Sequence, residues 1–135
     1  MPRPVKKMLD EWSKTKSVSL ASEICRELVQ EKEEFVIYSD ELIADVVAWG
    51  REKKLDDPKA QLNKVIEEIG EVAHEVTRER YKTDEMADGI GDTLVTIIIL
   101  ADIVGLDPME CLFMAYNTIK NRKGHTENGT FIKEQ

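Results

Sequence analysis

The sequence predicts an all-α protein, a compact bundle of about five or six helices that assembles as an oligomer. Charged residues make up 34% of the 135 residues and aromatic residues only 6%, with 7 glycines and 4 prolines. This composition favours helices over a β sandwich. Apolar residues recur at the i, i+3, i+4 spacing of amphipathic helices. A chain of this length can bury one modest core, so we expect one main domain.

Residues 1–36 are predicted to form a helical extension of unknown role, and residues 37–135 the main domain. No motif in the extension points to chemistry. Ser39 can cap the first helix of the domain, since Asp40 and Glu41 would then occupy its first turn. We therefore expect a helix to begin at Ser39.

The next helix is predicted to begin at Asp57, which can cap it, with Pro58 at the first helical position. Its apolar residues form one predicted core-facing stripe: Leu62, Val65, Ile66, Ile69, Val72, Ala73 and Val76. Residues 78–82 are too polar to bury. A further helix should then start at Thr83 or Asp84.

That further helix is predicted to be apolar on two sides and to end at Gly105. Since a helix that is apolar all round must be buried on both sides, we expect a dimer or tetramer that buries Val95 and Ile99 between subunits. The last helix should begin at Asp107 and run to about Lys123. A turn and a short extended tail should follow it.

The net charge of −8 disfavours nucleic acid and anionic membranes as partners. The longest apolar run, residues 94–101, is too short to span a bilayer. Cys25 and Cys111 lack the spacing of metal ligands or redox pairs, so we expect reduced, buried thiols. The chain is therefore expected to be cytoplasmic.

Two groups of carboxylates indicate a site for a hard cation. Glu68, Glu71 and Glu75 fall on one flank of the helix that begins at Asp57, within a sector of about 60°. Asp88 and Asp92 lie one turn apart at the polar end of the next helix, which is largely apolar. Carboxylates at a buried surface need cations or hydrogen bonds. Four of them facing one space would suit Mg²⁺, with Mn²⁺ as a substitute.

The C-terminal segment complements these acids. Residues 67–92 carry nine acidic and three basic side chains, whereas residues 117–135 carry four basic and two acidic ones. An acidic metal pocket beside Lys120 and Arg122 would suit a triphosphate, because the metal and the cations can share its phosphate oxygens. The alternative is that these cations only complement the C-terminal dipole of the last helix.

Two other interpretations remain open at this point. The carboxylates can be an ordinary solvated face, in which case the chain is a non-enzymatic acidic helical adaptor or interaction protein. Glu71 and His74 also match the Glu-x-x-His spacing of di-iron bundles. Such sites need two pairs of this kind, and His125 has no glutamate three residues before it.

About two thirds of the chain, from Ala48 to Lys133, resembles the MazG-like nucleoside triphosphate pyrophosphohydrolases. The segments that carry the resemblance are Gln61-Leu62, Glu67-Glu68-Ile69-Gly70-Glu71, Ile90-Gly91-Asp92 and Lys120-Asn121-Arg122-Lys123. The compact C-terminus is most similar to that of the small phage and prophage members; its matching segments are Arg122-Lys123-Gly124 and Asn128-Gly129-Thr130-Phe131.

The resemblance implies Mg²⁺-dependent hydrolysis of a nucleoside triphosphate, NTP or dNTP, to a monophosphate and pyrophosphate. The metal-binding E-x-x-E pair of the family falls on Glu68 and Glu71, and the E-x-x-D pair on Gly89 and Asp92. The sequence departs from the family at Gly89, and Asp88 is the candidate replacement.

The resemblance also gives Glu67 as a candidate accessory carboxylate. A free carboxylate, Glu67 or Glu71, could accept the proton of the attacking water. The substrate-binding residues would lie at the end of the last helix, where the candidates are Asn117, Lys120, Asn121 and Arg122.

Overall fold

The structure, a computed structural model, describes residues 5–15, 17–30 and 32–135. This part of the chain forms six helices and one β-hairpin, which confirms the predicted all-α bundle. Their bounds are α1 Val5–Thr15, α2 Val18–Gln30, α3 Lys32–Glu52, α4 Pro58–Thr77, α5 Asp84–Ile103, α6 Pro108–Ile119, β1 Gly124–Glu127 and β2 Thr130–Lys133.

Three of the predicted helix starts are confirmed by their capping bonds. The Asp57 carboxylate accepts from the backbone N–H groups of Lys59 and Ala60, at 2.8 and 3.1 Å. The Thr83 hydroxyl accepts from the N–H of Met86 at 3.1 Å. Asp107 caps α6 in the same way as Asp57 caps α4. Each cap satisfies N–H groups that the first helical turn would otherwise leave unpaired.

Other boundaries differ from those expected. The predicted helix start at Ser39 is wrong, because α3 already begins at Lys32 and runs through this residue. The proposed division between residues 1–36 and 37–135 lies within α3 and stays a prediction. Helix α6 ends at Ile119, four residues early. The extended tail folds back on the preceding segment as an antiparallel pair.

The antiparallel pair of α4 and α5 is the most extensive helix contact in the described chain. The buried α4 residues are Gln61, Val65, Glu68 and Glu75, and those of α5 are Met86, Gly89, Thr96 and Ile99. The Gln61 side-chain amide donates to the backbone oxygen of Thr96 at 3.1 Å, which fixes the register of the two helices.

Helix α3 packs along another side of α5. An added Cβ at Gly50 would lie 3.1 Å from the Ile99 side chain, so the two helices touch closely there. The Arg51 guanidinium binds the Asp102 carboxylate through two bonds of 2.6 and 3.0 Å. This pairing lowers the pKa of the Asp102 carboxyl below its ordinary value, chiefly through the hydrogen bond.

Two predictions about the helix surfaces are wrong. The stripe on α4 is not wholly core-facing: Val65 is buried, but Ile66 is 59% exposed. Ile99 cannot lie between subunits, since it is only 3% exposed within one chain. Val95 is half-buried beside it. The buried side of α5 is thus covered by α3, which the sequence pattern could not show.

The two cysteines are free, as expected, but both are exposed rather than buried. In the N-terminal part of the described chain, Met8 and Ile24 form a small buried cluster between α1 and α2.

Among the described residues, no single helix is long and apolar enough to cross a membrane. Helices α5 and α6 meet that criterion only as a pair bent by 103°.

Gly89 provides a test of the close contact between α4 and α5. An added Cβ would lie 3.1 Å from Cγ2 of Val72, whose branched side chain has little rotameric freedom in a helix. We expect Gly89→Ala to lower the free energy of unfolding, although alanine is otherwise favoured in helices by about 0.5–1 kcal/mol.

The same substitution in a Val72→Ala background should raise the free energy of unfolding, because the crowding group is gone. Urea denaturation of the four proteins measures both effects. A stabilising Gly89→Ala in the Val72 protein would contradict the close contact.

Candidate active site

A cavity of about 560 Å³ opens between the end of α3, the start of α4 and the middle of α5. One wall is apolar and is formed by Trp49, Leu55, Val95 and Ile99. The polar lining consists of Lys54, Asp56, Asp57, Gln61, Lys64, Glu68, Asp92 and Thr96. The cavity therefore combines a surface for an apolar group with charges of both signs.

Glu68 and Asp92 bring one carboxylate from each helix of the pair into this cavity. Glu68 is only 7% exposed, because it occupies one of the α4 positions that face α5. Asp92 is half-buried on the facing helix. The flank of α4 that carries Glu68 therefore borders α5, as a site shared by the two helices requires.

The surroundings of Asp92 are strongly acidic. Its pKa is raised above the ordinary value, first by burial and then by the negative charges of Asp88, Glu68 and Glu71. The positive charge of Lys64 opposes this shift. The other three carboxylates predicted to bind metal are thus close enough to disfavour the charged form of Asp92. Repulsion of this kind indicates a region that would accept a cation.

Lys64 was not among the predicted site residues. Its ammonium lies 3.0 Å from Oε1 of Glu67 and 3.4 Å from Oε1 of Glu68. These hydrogen bonds raise the pKa of Lys64. The signal was present in the sequence, since residues three and four apart on a helix are neighbours. Lys64 is therefore a cation supplied by the chain itself beside the Glu68 carboxylate.

Within the described residues, no group of three or more His, Cys, Asp or Glu side chains is close enough to hold a metal ion as it stands. The donor chemistry nevertheless fits Mg²⁺, which prefers carboxylate oxygens and keeps several of its waters. The predicted ligand set of Glu68, Glu71, Asp88 and Asp92 stays a prediction. Glu71 and Asp88 are exposed and free to turn towards a cation.

Glu75 belongs to a different environment from the other acids. It is 8% exposed, and its Oε2 atom has no hydrogen-bond partner in the described part of the chain. It lies about two helical turns from Glu68, at roughly 1.5 Å of rise per residue, and does not line the cavity. The three glutamates of α4 that the sequence grouped together therefore separate into different surroundings.

The predicted substrate-binding residues are not brought to this cavity. Asn117 is half-buried on α6, and Lys120, Asn121 and Arg122 are exposed beyond its end. None of them lines the cavity. Asp92 lies about 16 Å before the end of α5, and α6 then leaves at 103° to α5. The basic segment therefore does not contribute to this cavity within one chain, and the substrate-binding roles of these residues stay predictions.

Asp92→Asn should raise the free energy of unfolding at pH 7 in the presence of a chelator. The folded pKa of Asp92 lies above the unfolded value of 3.8, so the folded state holds this proton to higher pH. The free energy of unfolding therefore falls as the pH rises from the unfolded to the folded pKa of Asp92, and the neutral asparagine avoids this fall. The difference should vanish below about pH 3, where both forms of the residue are uncharged.

Asp102→Asn provides a matched control of opposite sign. Its folded pKa is lowered, so its contribution to stability is present above the unfolded value of 3.8 and is lost as the pH falls through the folded pKa. This substitution should destabilise the protein at pH 7. Urea denaturation at pH 7 and below about pH 3 measures the free energy of unfolding of both variants. Changes of the same sign in both variants at pH 7 would refute the opposite pKa shifts of Asp92 and Asp102.

Comparison with known families agrees with the geometry. The chain matches the model of the MazG nucleotide pyrophosphohydrolase domain over residues 56–125, about half of its length. The match includes both carboxylate groups and the start of the C-terminal hairpin. No curated protein and no solved structure matches the chain. The family match is consistent with the acidic cavity and with the helical fold, and the chain belongs to the MazG nucleotide pyrophosphohydrolase family.

Proposed function

We propose that the protein hydrolyses a nucleoside triphosphate, NTP or dNTP, to a nucleoside monophosphate and pyrophosphate, and that it requires Mg²⁺. The observation that carries this proposal is the cavity in which Glu68 and Asp92 meet beside an apolar wall. The carboxylates suit a metal-bound polyphosphate, and the wall suits the uncharged part of a nucleotide. Family membership supports a nucleotide as substrate.

Glu68, Glu71 and Asp92 would hold the cation, with Asp88 in direct contact or through a water. Bound Mg²⁺ offsets phosphate charge and lowers the pKa of water, and Mn²⁺ could replace it. In the reaction, an oxygen–phosphorus bond forms between water and the α-phosphorus, and the bond from that phosphorus to the bridging oxygen breaks. Pyrophosphate leaves with the electron pair.

Glu67 and Glu71 are the candidates for accepting the proton of the attacking water. Glu67 is paired with Lys64, at 3.0 Å. Glu71 has no such pairing in the described part of the chain, so we assign it the role first, through the carboxylate oxygen that does not hold the cation. Lys64 lines the cavity and would contact phosphate oxygens.

The C-terminal candidates Asn117, Lys120, Asn121 and Arg122 do not line the cavity of their own chain, and we propose that another copy supplies them. We accordingly extend the proposal to a homo-oligomer, dimer or tetramer. The metal-binding and proton-accepting roles proposed above for the carboxylates do not depend on this oligomer.

The reaction is tested by incubating the protein with Mg²⁺ and a panel of common and damaged NTPs and dNTPs. Pyrophosphate and the monophosphate should appear in equal amounts for at least one nucleotide. Orthophosphate and a diphosphate would overturn the proposal, because they would place the attack at the terminal phosphorus. No turnover, together with no saturable Mg²⁺ binding by calorimetry, would favour the acidic adaptor instead.

Glu68→Gln and Asp92→Asn should each lower kcat/KM by more than about 100-fold, since each removes a predicted metal ligand from the cavity. Glu110→Gln, an exposed acid on α6, is the matched control and should change kcat/KM by less than about twofold. Circular dichroism checks that all variants remain folded. Equal activity in all three variants would show that Glu68 and Asp92 are not required for the reaction.

Asp88→Asn tests whether Asp88 replaces the acid that the family carries at position 89. The substitution keeps the shape and removes the charge, so the Mg²⁺ concentration for half-maximal activity should rise about 10-fold or more. Titration of activity with Mg²⁺ measures this shift. An unchanged Mg²⁺ requirement would mean that Asp88 only borders the helix, where an acid is favourable in any case.

A further inference from the structure

The ends of α3, α4 and α5 share one hydrogen-bonded motif. At the end of α3, the Leu55 N–H donates to the Gly50 carbonyl at 3.0 Å. The Lys54 N–H donates to the Arg51 carbonyl, also at 3.0 Å. Helices α4 and α5 end with the same pair of backbone bonds, at 2.8 to 3.0 Å. This motif requires a left-handed residue at the position of Lys54, where glycine is usual.

Helix α5 has glycine at this position, whereas α3 and α4 do not. The backbone φ angle is +77° at Gly105, +57° at Lys54 and +55° at Glu79. A side chain disfavours the left-handed conformation, because its Cβ approaches the following carbonyl oxygen. Glycine would end α3 with the same hydrogen bonds and without this strain. A strained side chain that is retained beside a cavity therefore indicates a function for that side chain.

The surroundings distinguish the two strained residues. Lys54 lines the cavity, together with the three residues that follow it in the α3–α4 connection. Glu79 is exposed beyond the other end of α4 and does not line the cavity. Within the described residues Lys54 forms no ion pair, whereas Lys64, the other lysine of the cavity, is paired with two glutamates. The Lys54 ammonium is thus free to donate hydrogen bonds to a molecule in the cavity.

Lys54 and the carboxylates lie at opposite ends of the cavity. The α3–α4 connection carries Lys54 and joins the start of α4, whereas Glu68 lies about 15 Å further along that helix, at 1.5 Å of rise per residue. On the antiparallel helix α5, Val95 and Ile99 follow Asp92 by about one and two turns, towards the start of α4. The apolar wall that includes these two residues therefore separates the carboxylates from Lys54.

The apolar wall decides which part of a nucleotide reaches Lys54. In the proposed reaction the cation holds the phosphates at the carboxylate end. A polyphosphate along the apolar wall would lose its hydration without compensation. The uncharged nucleoside can lie there, and Trp49, which is 49% exposed, provides a ring on which a base can stack. The edge of that base then lies at the end of the cavity that carries Lys54.

The lysine ammonium discriminates between bases through its hydrogen bonds, because it carries three donors and no acceptor. Guanine presents two acceptors, O6 and N7, and lysine commonly binds this pair. Adenine presents an amino group beside N7, and this donor opposes the ammonium. Thymine and cytosine differ in the same way, since one has an oxygen where the other has an amino group. A free ammonium at the base edge therefore favours bases with an exocyclic oxygen.

We propose that Lys54 is a specificity-determining residue that donates to the exocyclic oxygen of the base. The protein then prefers nucleotides with keto bases, such as guanine, hypoxanthine and uracil, over nucleotides with adenine or cytosine. This inference rests on the proposed function and names the class of base that the site accepts. It also explains the strained backbone, because glycine at position 54 would end α3 equally well but would provide no donor.

ITP and ATP provide the most direct test, because they differ only in an oxygen or an amino group on the purine ring. For the unsubstituted protein, kcat/KM should be at least about 10-fold higher with ITP. Lys54→Met keeps the length of the side chain and removes the donors, so the ratio of the two kcat/KM values should fall close to one. Lys54→Gly should lower the ratio in the same way and should also raise the melting temperature, since it removes the strain.

Glu79→Gly is the matched control, because it removes a side chain from the same backbone conformation outside the cavity. It should also raise the melting temperature, and it should leave the ratio unchanged. A ratio close to one in the unsubstituted protein, or an unchanged ratio in Lys54→Met, would overturn the proposal. A Lys54→Gly protein no more stable than the unsubstituted one would also overturn it, because residue 54 would then carry no strain.

Binding separates this inference from the proposed reaction. The α,β-methylene analogues of ITP and ATP cannot be hydrolysed between the α- and β-phosphorus atoms, and calorimetry with Mg²⁺ measures their Kd values. The ITP analogue should bind at least about 10-fold more tightly, and Lys54→Met should abolish the difference. That result would support the role of Lys54 even if no nucleotide were hydrolysed. Equal Kd values for the two analogues would refute it even if pyrophosphate were released.

Discussion

The contact between α4 and α5 is the constraint on which the rest of the structure depends. Gly89 lets the two backbones approach, and the amide of Gln61 fixes how far one helix slides along the other. That register sets Glu68 opposite Asp92. A shift of one residue would turn each side chain by about 100° and separate the two carboxylates. The positions of the two acids therefore depend on contacts made by other residues of the helix pair.

The site shows the cost of gathering like charges. Asp92 is half-buried among carboxylates, which disfavours its ionised form, and the only relief seen in its pKa comes from Lys64. Acids in such an arrangement lower the free energy of unfolding. Proteins retain such destabilising groups where the charges serve a function. The acidic cavity is understandable as a binding site, whereas as an ordinary surface it would be unfavourable.

The sequence predicted the helical class and the starts of α4, α5 and α6, because capping residues act on their nearest neighbours. Asp57, Thr83 and Asp107 need only the next three residues to be effective. The sequence did not predict which side of α4 faces α5. The apolar stripe is broad enough to pack against two partners. The contact with α3 shows that Ile99 lies inside, and the contact between α4 and α5 shows that Ile66 lies outside.

The candidate site could likewise be predicted only where it depends on local sequence patterns. Glu68 and Asp92 belong to recognisable local patterns, so both were found. The relation between Lys120 and the acids depends on the direction in which α6 leaves α5, and no local pattern encodes that direction. The family match spans both places, over residues 56–125, without giving the distance between them.

Lys64 has a consequence for how the cavity would be filled. Its ammonium is tethered one turn from Glu68, so it competes with any incoming cation at a high local concentration that dilution cannot lower. A divalent ion that took the Oε1 atom of Glu68 would displace this group, and the displaced ammonium would stay within a few ångströms of the vacated position. An ion arriving alone loses that competition more readily than one arriving with phosphate, because phosphate gives the displaced ammonium a new partner. The tether would therefore act as a filter that favours the metal–nucleotide complex over the free ion.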